Sequence, residues 1–370
     1  MQDPGQRHVV WTGPIALAPP RPLGPNRMRP WLRNTVLVAL MLVLVGVFLR
    51  NANLAEVWHV MRTAHPGLVA AGVGCLFASY ALRALRWQVM LAPLGRTHFG
   101  PALRATVIGF AASFILPARA GEILRPWLLA RREGLDTAAV ITTIIIERLL
   151  DFVTVLVLLA SFFTFFDPGL SAMDPAMFQT VRTWGTRAGY AAVAGMAALM
   201  GAAARPDLLL RIVAALTGWL PARLRRVITG LAGQFAAGLA VVRDPARLAL
   251  ALAWSFPLWF IIAAQIWLVS MAVGVTLPPT GALLIMAILV VGVAVPTPGA
   301  VGGFHEAYRV AATAFFGADN DHAVGAAIVL HAVGFVPTLV AGAWLMAREG
   351  LSLTHLGAEA QRATREEARP

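Results

Sequence analysis

Glu147, Arg148 and Asp151 stand in the middle of an apolar run, Thr137 to Phe166, where ionised side chains are hard to accommodate. Read as a helix rising about 1.5 Å per residue, the run puts them about 15 Å from its start, near the centre of a bilayer that it would cross. Each charge there costs at least about 2.5 kcal/mol on insertion scales, so the group must face protein, water or itself. Arg148 and Asp151 are three residues apart and can pair on one helical face, whereas Glu147 and Asp151, four apart, put two like charges together and call for a further cation. Arg119 is the candidate for that cation. A network that only fixes helix register is the competing role for Arg148 and Asp151; Glu147 is read as functional.

Arg119 belongs to the helix breaker LPARAGE, between Pro101 to Leu116 and Gly121 to Arg132, each too short to cross a bilayer. Beyond the breaker, Glu122 and Arg125 share a face, and the first turn after Gly121 offers free N–H groups that, with Arg119, could hold a phosphate. A second breaker, VPTPGAVGG, separates Gly281 to Val295 from Gly303 to Phe316 and exposes backbone at Thr297, Gly299, Gly302 and Gly303 beside Pro298, with His305 and Glu306 opening the next helix. Each pair reads as a re-entrant hairpin with its tip at depth, which hydrocarbon tolerates only inside protein or beside a wet cavity. His331, in the last apolar run, is either a proton carrier or a hydrogen-bonded packing residue. Arg83, Arg86 and Trp87 end a run on a basic side, where arginine would meet lipid phosphate and tryptophan would sit at headgroup level.

Other chemistries lack a motif. There is no GxxxxGK[ST], HExxH or GxSxG, and the single cysteine, Cys75, cannot form a cysteine-based metal site, so no cofactor, metal or ordinary hydrolase is expected. The net charge of +12 comes from arginine alone, with no lysine, and is not read as a sign of nucleic-acid binding.

The elements that must carry these residues follow from composition. With 58% hydrophobic and 13% charged residues and a mean hydropathy of +0.72, there is too little polar surface to wrap a soluble core. Thr35 to Leu49, Leu68 to Leu82, Thr137 to Phe166, Leu248 to Val273 and His322 to Met346 read as spanning helices. The expected architecture is an all-α polytopic bundle of about six full spans plus two re-entrant hairpins. Residues 1–30 read as a disordered Arg/Pro-rich extension, 31–350 as the membrane domain, 205–247 as an amphipathic linker on the inner leaflet and 351–370 as a tail. Translation could begin at Met28, and the Arg27, Arg29, Arg33 cluster resembles the start of a signal peptide, although no small-x-small cleavage site follows Leu49. Arginines concentrate before the first run, at Arg83 to Arg104, Arg119 to Arg132, Arg205 to Arg247 and from Arg348 onward, so both ends are expected in the cytoplasm. Trp31, Trp58, Trp87, Trp184 and Trp344 fall where an aromatic belt would lie. Span, half-helix, breaker, half-helix and long span recur about 180 residues apart, over roughly 67–166 and 248–347, and three crossings between equivalent points would invert the second copy.

The stretches LPARAGEILRPWLLARREGLDTAAVITTIIIERLLDF, RALRWQVML and VPTPGAVGGFHEA resemble the lysylphosphatidylglycerol synthase transmembrane-region family, also called flippase-like domain proteins, over roughly residues 35 to 350. The resemblance implies a bacterial inner-membrane protein that moves, or helps to move, a lipid between leaflets. It places the family's motif positions on Arg119, Gly121, Glu122, Arg125, Glu147, Arg148, Asp151, Pro298, Gly299, Gly302 and Glu306. Two-part synthases of the family carry a soluble aminoacyl-transfer domain after the membrane region, whereas about 20 residues follow the last apolar run here, which argues against an enzyme making aminoacyl lipids. The expected partners are membrane lipids with an anionic or lipid-linked headgroup, a separate synthase or glycosyltransferase, and a second copy of the chain. Three functions fit: a lipid translocator driven passively or by protons, a non-transporting subunit presenting a lipid intermediate, and an ion or small-solute carrier.

Overall fold

A computed structural model describes residues 30–116, 121–165, 175–204, 206–219, 221, 224–225, 228–229, 244–294 and 297–351. Every regular element among them is helical: α1 (Pro30–Leu49), α2 (Leu54–Arg62), α3 (Pro66–Leu91), α4 (Phe99–Ile115), α5 (Gly121–Glu133), α6 (Thr137–Phe165), α7 (Pro175–Ala204), α8 (Pro206–Leu216), α9 (Pro245–Ala272), α10 (Gly281–Ala294), a 3-10 turn (Pro298–Ala300), α11 (Gly303–Phe316) and α12 (Asn320–Arg348). Capping sets several starts. Asp244 and Asp319 accept the first free N–H groups of α9 and α12, and proline follows His65 and Asp244 at the first helical positions of α3 and α9.

By length and apolar composition, α3, α9 and α12 can each cross a membrane, and α1 with α2 forms a fourth candidate bent by 86° at the break between them. The apolar run Thr35 to Leu49, expected to span, therefore turns sharply into α2. Helix α6 has the length, at 29 residues, but carries three charges in its middle. The four half-helices, α4, α5, α10 and α11, run 17, 13, 14 and 14 residues, as short as expected. Of the segment read as an amphipathic linker, α8 is helical, while 230–243 lie outside the described residues.

The helices meet in matched pairs. Helix α4 packs on α5 and α10 on α11; α3 lies against α4 and α9 against α10; α6 packs on α10 and α12 on α4. Both hairpins close in the same way, through glycine. The Cβ of Arg125 sits where any side chain at Gly109 would go, and the Cβ of Ala307 does the same at Gly292, so the arms approach almost backbone to backbone. Helices α3 and α9 share the most extensive seam and run antiparallel: the His65 N–H at the start of α3 donates to the Ala272 carbonyl at the end of α9 (2.8 Å), while Arg86 near the end of α3 reaches Ser255 in the first half of α9 (2.8 Å).

The outer helices break this pairing. Helix α1 packs on α11 and on the 3-10 turn, whereas α7 lies along the second half of α6, its Gly185 against Phe163 and its Gly189 against Ala160. On another side of α6, around its middle, Ile145 and Phe152 are exposed.

Candidate functional site

The site is a cluster of charged side chains from α3, α5 and α6, closed by α9. Glu147 and Asp151, one turn apart on the buried face of α6, have 0% and 8% of their side chains exposed. Around them stand four guanidinium groups. Arg125 Nη1 donates to Glu147 Oε1 at 2.8 Å, and Arg148 Nη2 donates to the same oxygen at 2.7 Å. Arg86 Nη1 donates to Asp151 Oδ1 at 2.6 Å, with its Nη2 3.5 Å from Glu147 Oε1. Arg83 Nη1 lies 3.4 Å from Asp151 Oδ2 and 3.9 Å from Glu147 Oε1, and Arg148 Nη2 is 3.5 Å from Asp151 Oδ2.

Neutral groups fix the geometry. Trp259 Nε1, on α9, donates to Asp151 Oδ1 (3.1 Å). Trp87 Nε1 donates to Thr143 Oγ1 (2.9 Å), which holds its ring beneath the Arg125 guanidinium, 4.0 Å from the ring centroid. Arg83 lies over Phe110 and Trp259. Such flat, weakly hydrated cations suit a dry, aromatic-walled site better than lysine would. Burying this many charges costs several kcal/mol per ion unless partners compensate, so loss of any one partner leaves the others exposed to that penalty.

The compensation is incomplete. Arg86 Nε and Nη2, Arg125 Nε and Nη2, Arg148 Nε and Glu147 Oε2 are buried without a hydrogen-bond partner among the described residues. The cluster is also not sealed. Arg148 has 41% of its side chain exposed and projects on the same side of α6 as Ile145 and Phe152, three residues before it and four after it. The polar site thus opens between exposed apolar side chains.

The second break carries a different chemistry. His331 Nε2 lies 2.9 Å from the Gly299 carbonyl, the His305 and His331 rings lie 4.7 Å apart and tilted by 42°, His331 stacks on Phe335, and Phe304 and Phe48 pack edge-on around them. Gly299 and Gly302 have φ of +59° and +88°, and a side chain at Gly302 would meet Leu44 of α1 at 2.6 Å. The turn rests on α4, and Phe335 packs on Phe114 near the end of that helix.

Of the residues singled out from sequence, Arg125, Glu147, Arg148 and Asp151 converge, and Glu122 is close enough to Arg148 to act on it electrostatically. Gly121 begins α5, pressed against Gly109 and Ser113. Arg119, expected to balance the two carboxylates, lies outside the described residues. Pro298, Gly299, Gly302 and His331 gather at the second break, while Glu306 pairs with Arg309 on its own helix (2.5 and 2.8 Å).

The reading of Arg83, Arg86 and Trp87 as interfacial is corrected. Arg86 and Trp87 are 0% exposed, and both arginines are counter-ions of the α6 carboxylates. A signal was present: Arg83 and Arg86 are one turn apart, and α3 continues five residues past Arg86, about 7.5 Å, which puts both short of the helix end. Trp58, Trp184 and Trp344 are exposed, as a belt requires, with Arg187 and Arg348 over the latter two rings; the Trp31 side chain is outside the described residues. Ser255 and Trp259 were not foreseen, because nothing local marks them.

A family model described as the lysylphosphatidylglycerol synthase TM region matches residues 34–342. Among curated proteins, the chain is similar to "Glycosyltransferase AglD" of Haloferax volcanii, 28% identical over 354 residues that cover 87% of this chain and 55% of that protein. The chain spans about half the length of that relative.

Proposed function

We propose that this chain, which belongs to the lysylphosphatidylglycerol synthase transmembrane-region family, moves a phospholipid or lipid-linked headgroup between the leaflets of a bacterial cytoplasmic membrane. The observation that carries this reading is the opening of the cluster: a buried set of charges reached past Arg148, between Ile145 and Phe152. A free ion would arrive from water. A polar group that comes with an acyl tail can approach through the apolar side of α6, leaving the tail in hydrocarbon while the headgroup meets the arginines.

Alternating access needs two halves that can rock about a fixed site. The matched helix contacts, the shared glycine closure of the hairpins and the antiparallel seam of α3 and α9 support an inverted repeat with its axis near that seam. The arginine-rich segments put both termini in the cytoplasm under this reading. Purified protein in vesicles with fluorescent lipids of several headgroups should speed leaflet exchange above that of empty vesicles. Exchange no faster than in empty vesicles for every headgroup would remove the proposal.

A second reading is favoured by the relative named as a glycosyltransferase: the same site would hold a lipid-linked intermediate and present it to a partner enzyme. Alanine at Glu147 and Arg148 separates the two. Partner binding lost with exchange intact supports presentation; exchange lost supports translocation.

A further inference from the structure

We infer that the cluster takes a headgroup whose net charge is that of a phosphate and which carries a hydroxyl beside it, and that it turns away aminoacylated, cationic headgroups. This deepens the site's proposed role and rests on a lipid headgroup entering it. The first support is charge. Arg83, Arg86, Arg125 and Arg148 face Glu147 and Asp151, and the balance stays positive when Glu122 is counted with the acids. An ammonium brought into this space would meet an excess of guanidinium groups in a medium that screens them poorly.

The second support is the pattern of open hydrogen-bonding atoms. Arg86, with 0% of its side chain exposed, and Arg125, with 5%, each leave Nε and Nη2 without a hydrogen-bond acceptor among the described residues, Arg86 Nη2 keeping only the long 3.5 Å ion contact with Glu147 Oε1. Two guanidinium groups with free adjacent N–H groups match the oxygens of a phosphate, for which arginine's forked geometry is suited. Trp87 beneath Arg125, and Ser255 with Asp151 on Arg86, hold both forks in place before any ligand arrives. The third support is Glu147 Oε2, a buried acceptor with no donor among the described residues although its sister oxygen takes bonds from Arg125 and Arg148. A neutral hydroxyl next to the phosphate, as in a glycerol or sugar headgroup, supplies a donor there without adding positive charge.

The test measures binding, not transport. The full chain in phosphatidylcholine nanodiscs is loaded with fluorescent phosphatidylglycerol and challenged with phosphatidylglycerol, phosphatidylmethanol, lysylphosphatidylglycerol and soluble glycerol 3-phosphate. Phosphatidylglycerol should compete at a concentration about tenfold or more below lysylphosphatidylglycerol, the size expected for one charge-assisted hydrogen bond gained or refused. Phosphatidylmethanol, with the same phosphodiester and no hydroxyl, should fall between them, and glycerol 3-phosphate should compete poorly. Arg125→Gln should weaken phosphatidylglycerol about tenfold and narrow its advantage over the lysylated lipid; the wild-type panel decides the matter if that variant does not fold.

Equal or tighter binding of the lysylated lipid overturns the proposal. Phosphatidylmethanol matching phosphatidylglycerol removes the hydroxyl, and glycerol 3-phosphate competing as well as the lipid reassigns the site to a soluble ester. Selective binding without leaflet exchange would sink translocation and leave this inference standing, while exchange without selectivity would do the reverse.

Discussion

Arg125 and Ala307 occupy matching places in the two hairpins, each with its Cβ packed on a glycine of the opposing arm, Gly109 or Gly292. One side chain continues to a guanidinium that binds Glu147; the other stops at a methyl group. The same contrast runs through both regions. The first hairpin supplies Arg125 to a buried ionic cluster, while the second break is lined by imidazole and phenyl rings and packed on by α1. Backbone construction is shared and electrostatics are not. The glycine contacts set how closely the arms of each hairpin approach, independently of what the other side chains carry.

The sharpest way to break this comparison is to remove a buried cation from the first hairpin's cluster and a partly exposed one from the second hairpin. Arg86→Met should cost about 3–5 kcal/mol by leaving two carboxylates short of a partner, whereas Arg309→Met, from a partly exposed pair within α11, should cost under about 1 kcal/mol. Denaturant unfolding in detergent reads both, and equal losses would erase the distinction. The shared scaffold is tested by Gly109→Ala and Gly292→Ala, which overpack at matching points and should each cost about 1–3 kcal/mol. A large loss in one hairpin and none in the other would show that they are not built alike.

A smaller effect is expected at the neutral break. His331→Phe loses the bond to the Gly299 carbonyl, about 1 kcal/mol, and should leave lipid binding at the cluster unchanged. Glu349 joins α12 to Arg104 of α4 and Arg132 of α5 at the basic ends of these helices; the arginines are more than a third exposed, so Glu349→Gln should change stability by about 0–1 kcal/mol, less at high salt. Smallest is the cap of α12. Its His322 partner, helped by backbone N–H groups of His322 and Asp321, holds the Asp319 carboxyl below its ordinary range. A depressed folded value means that the contribution is present above the unfolded carboxylate value, about 3.9, and is lost as pH falls through the folded one. The unfolding difference between wild type and Asp319→Asn should shrink on acidification below about pH 4 and vanish at lower pH.

Much of the fold was legible because its signals are local. The half-helices were marked by Pro117, Gly121, Pro296, Pro298 and Gly299, residues that interrupt a helix whatever surrounds them. The bend after Leu49 was not legible, since no proline falls between α1 and α2 and Asn53 acts there through its side-chain cap. Within the site, the spacing of Glu147 and Asp151 calls for a cation beside them, but the sequence points to Arg119 only through its place at the first breaker. Beyond Arg148 of α6 itself, the cations seen there come from α3 and α5, with Arg83 and Arg86 lying 68 and 65 residues from Asp151. Trp87 looked interfacial because tryptophan near a basic helix end usually is.

By itself the sequence determined that this is a helical membrane chain, where its proline- and glycine-marked half-helices end, and that acidic groups lie midway along one long helix. Each of these depends on residues within a few turns of one another. Which arginines neutralise those acids, which side of α6 stays open and which hairpin carries the charge were decided only by tertiary docking. That docking is governed by the close approach of small residues between helices far apart in the chain, such as Gly72 on Val269 and Gly342 on Ala111, and those contacts leave no periodic trace in either segment alone.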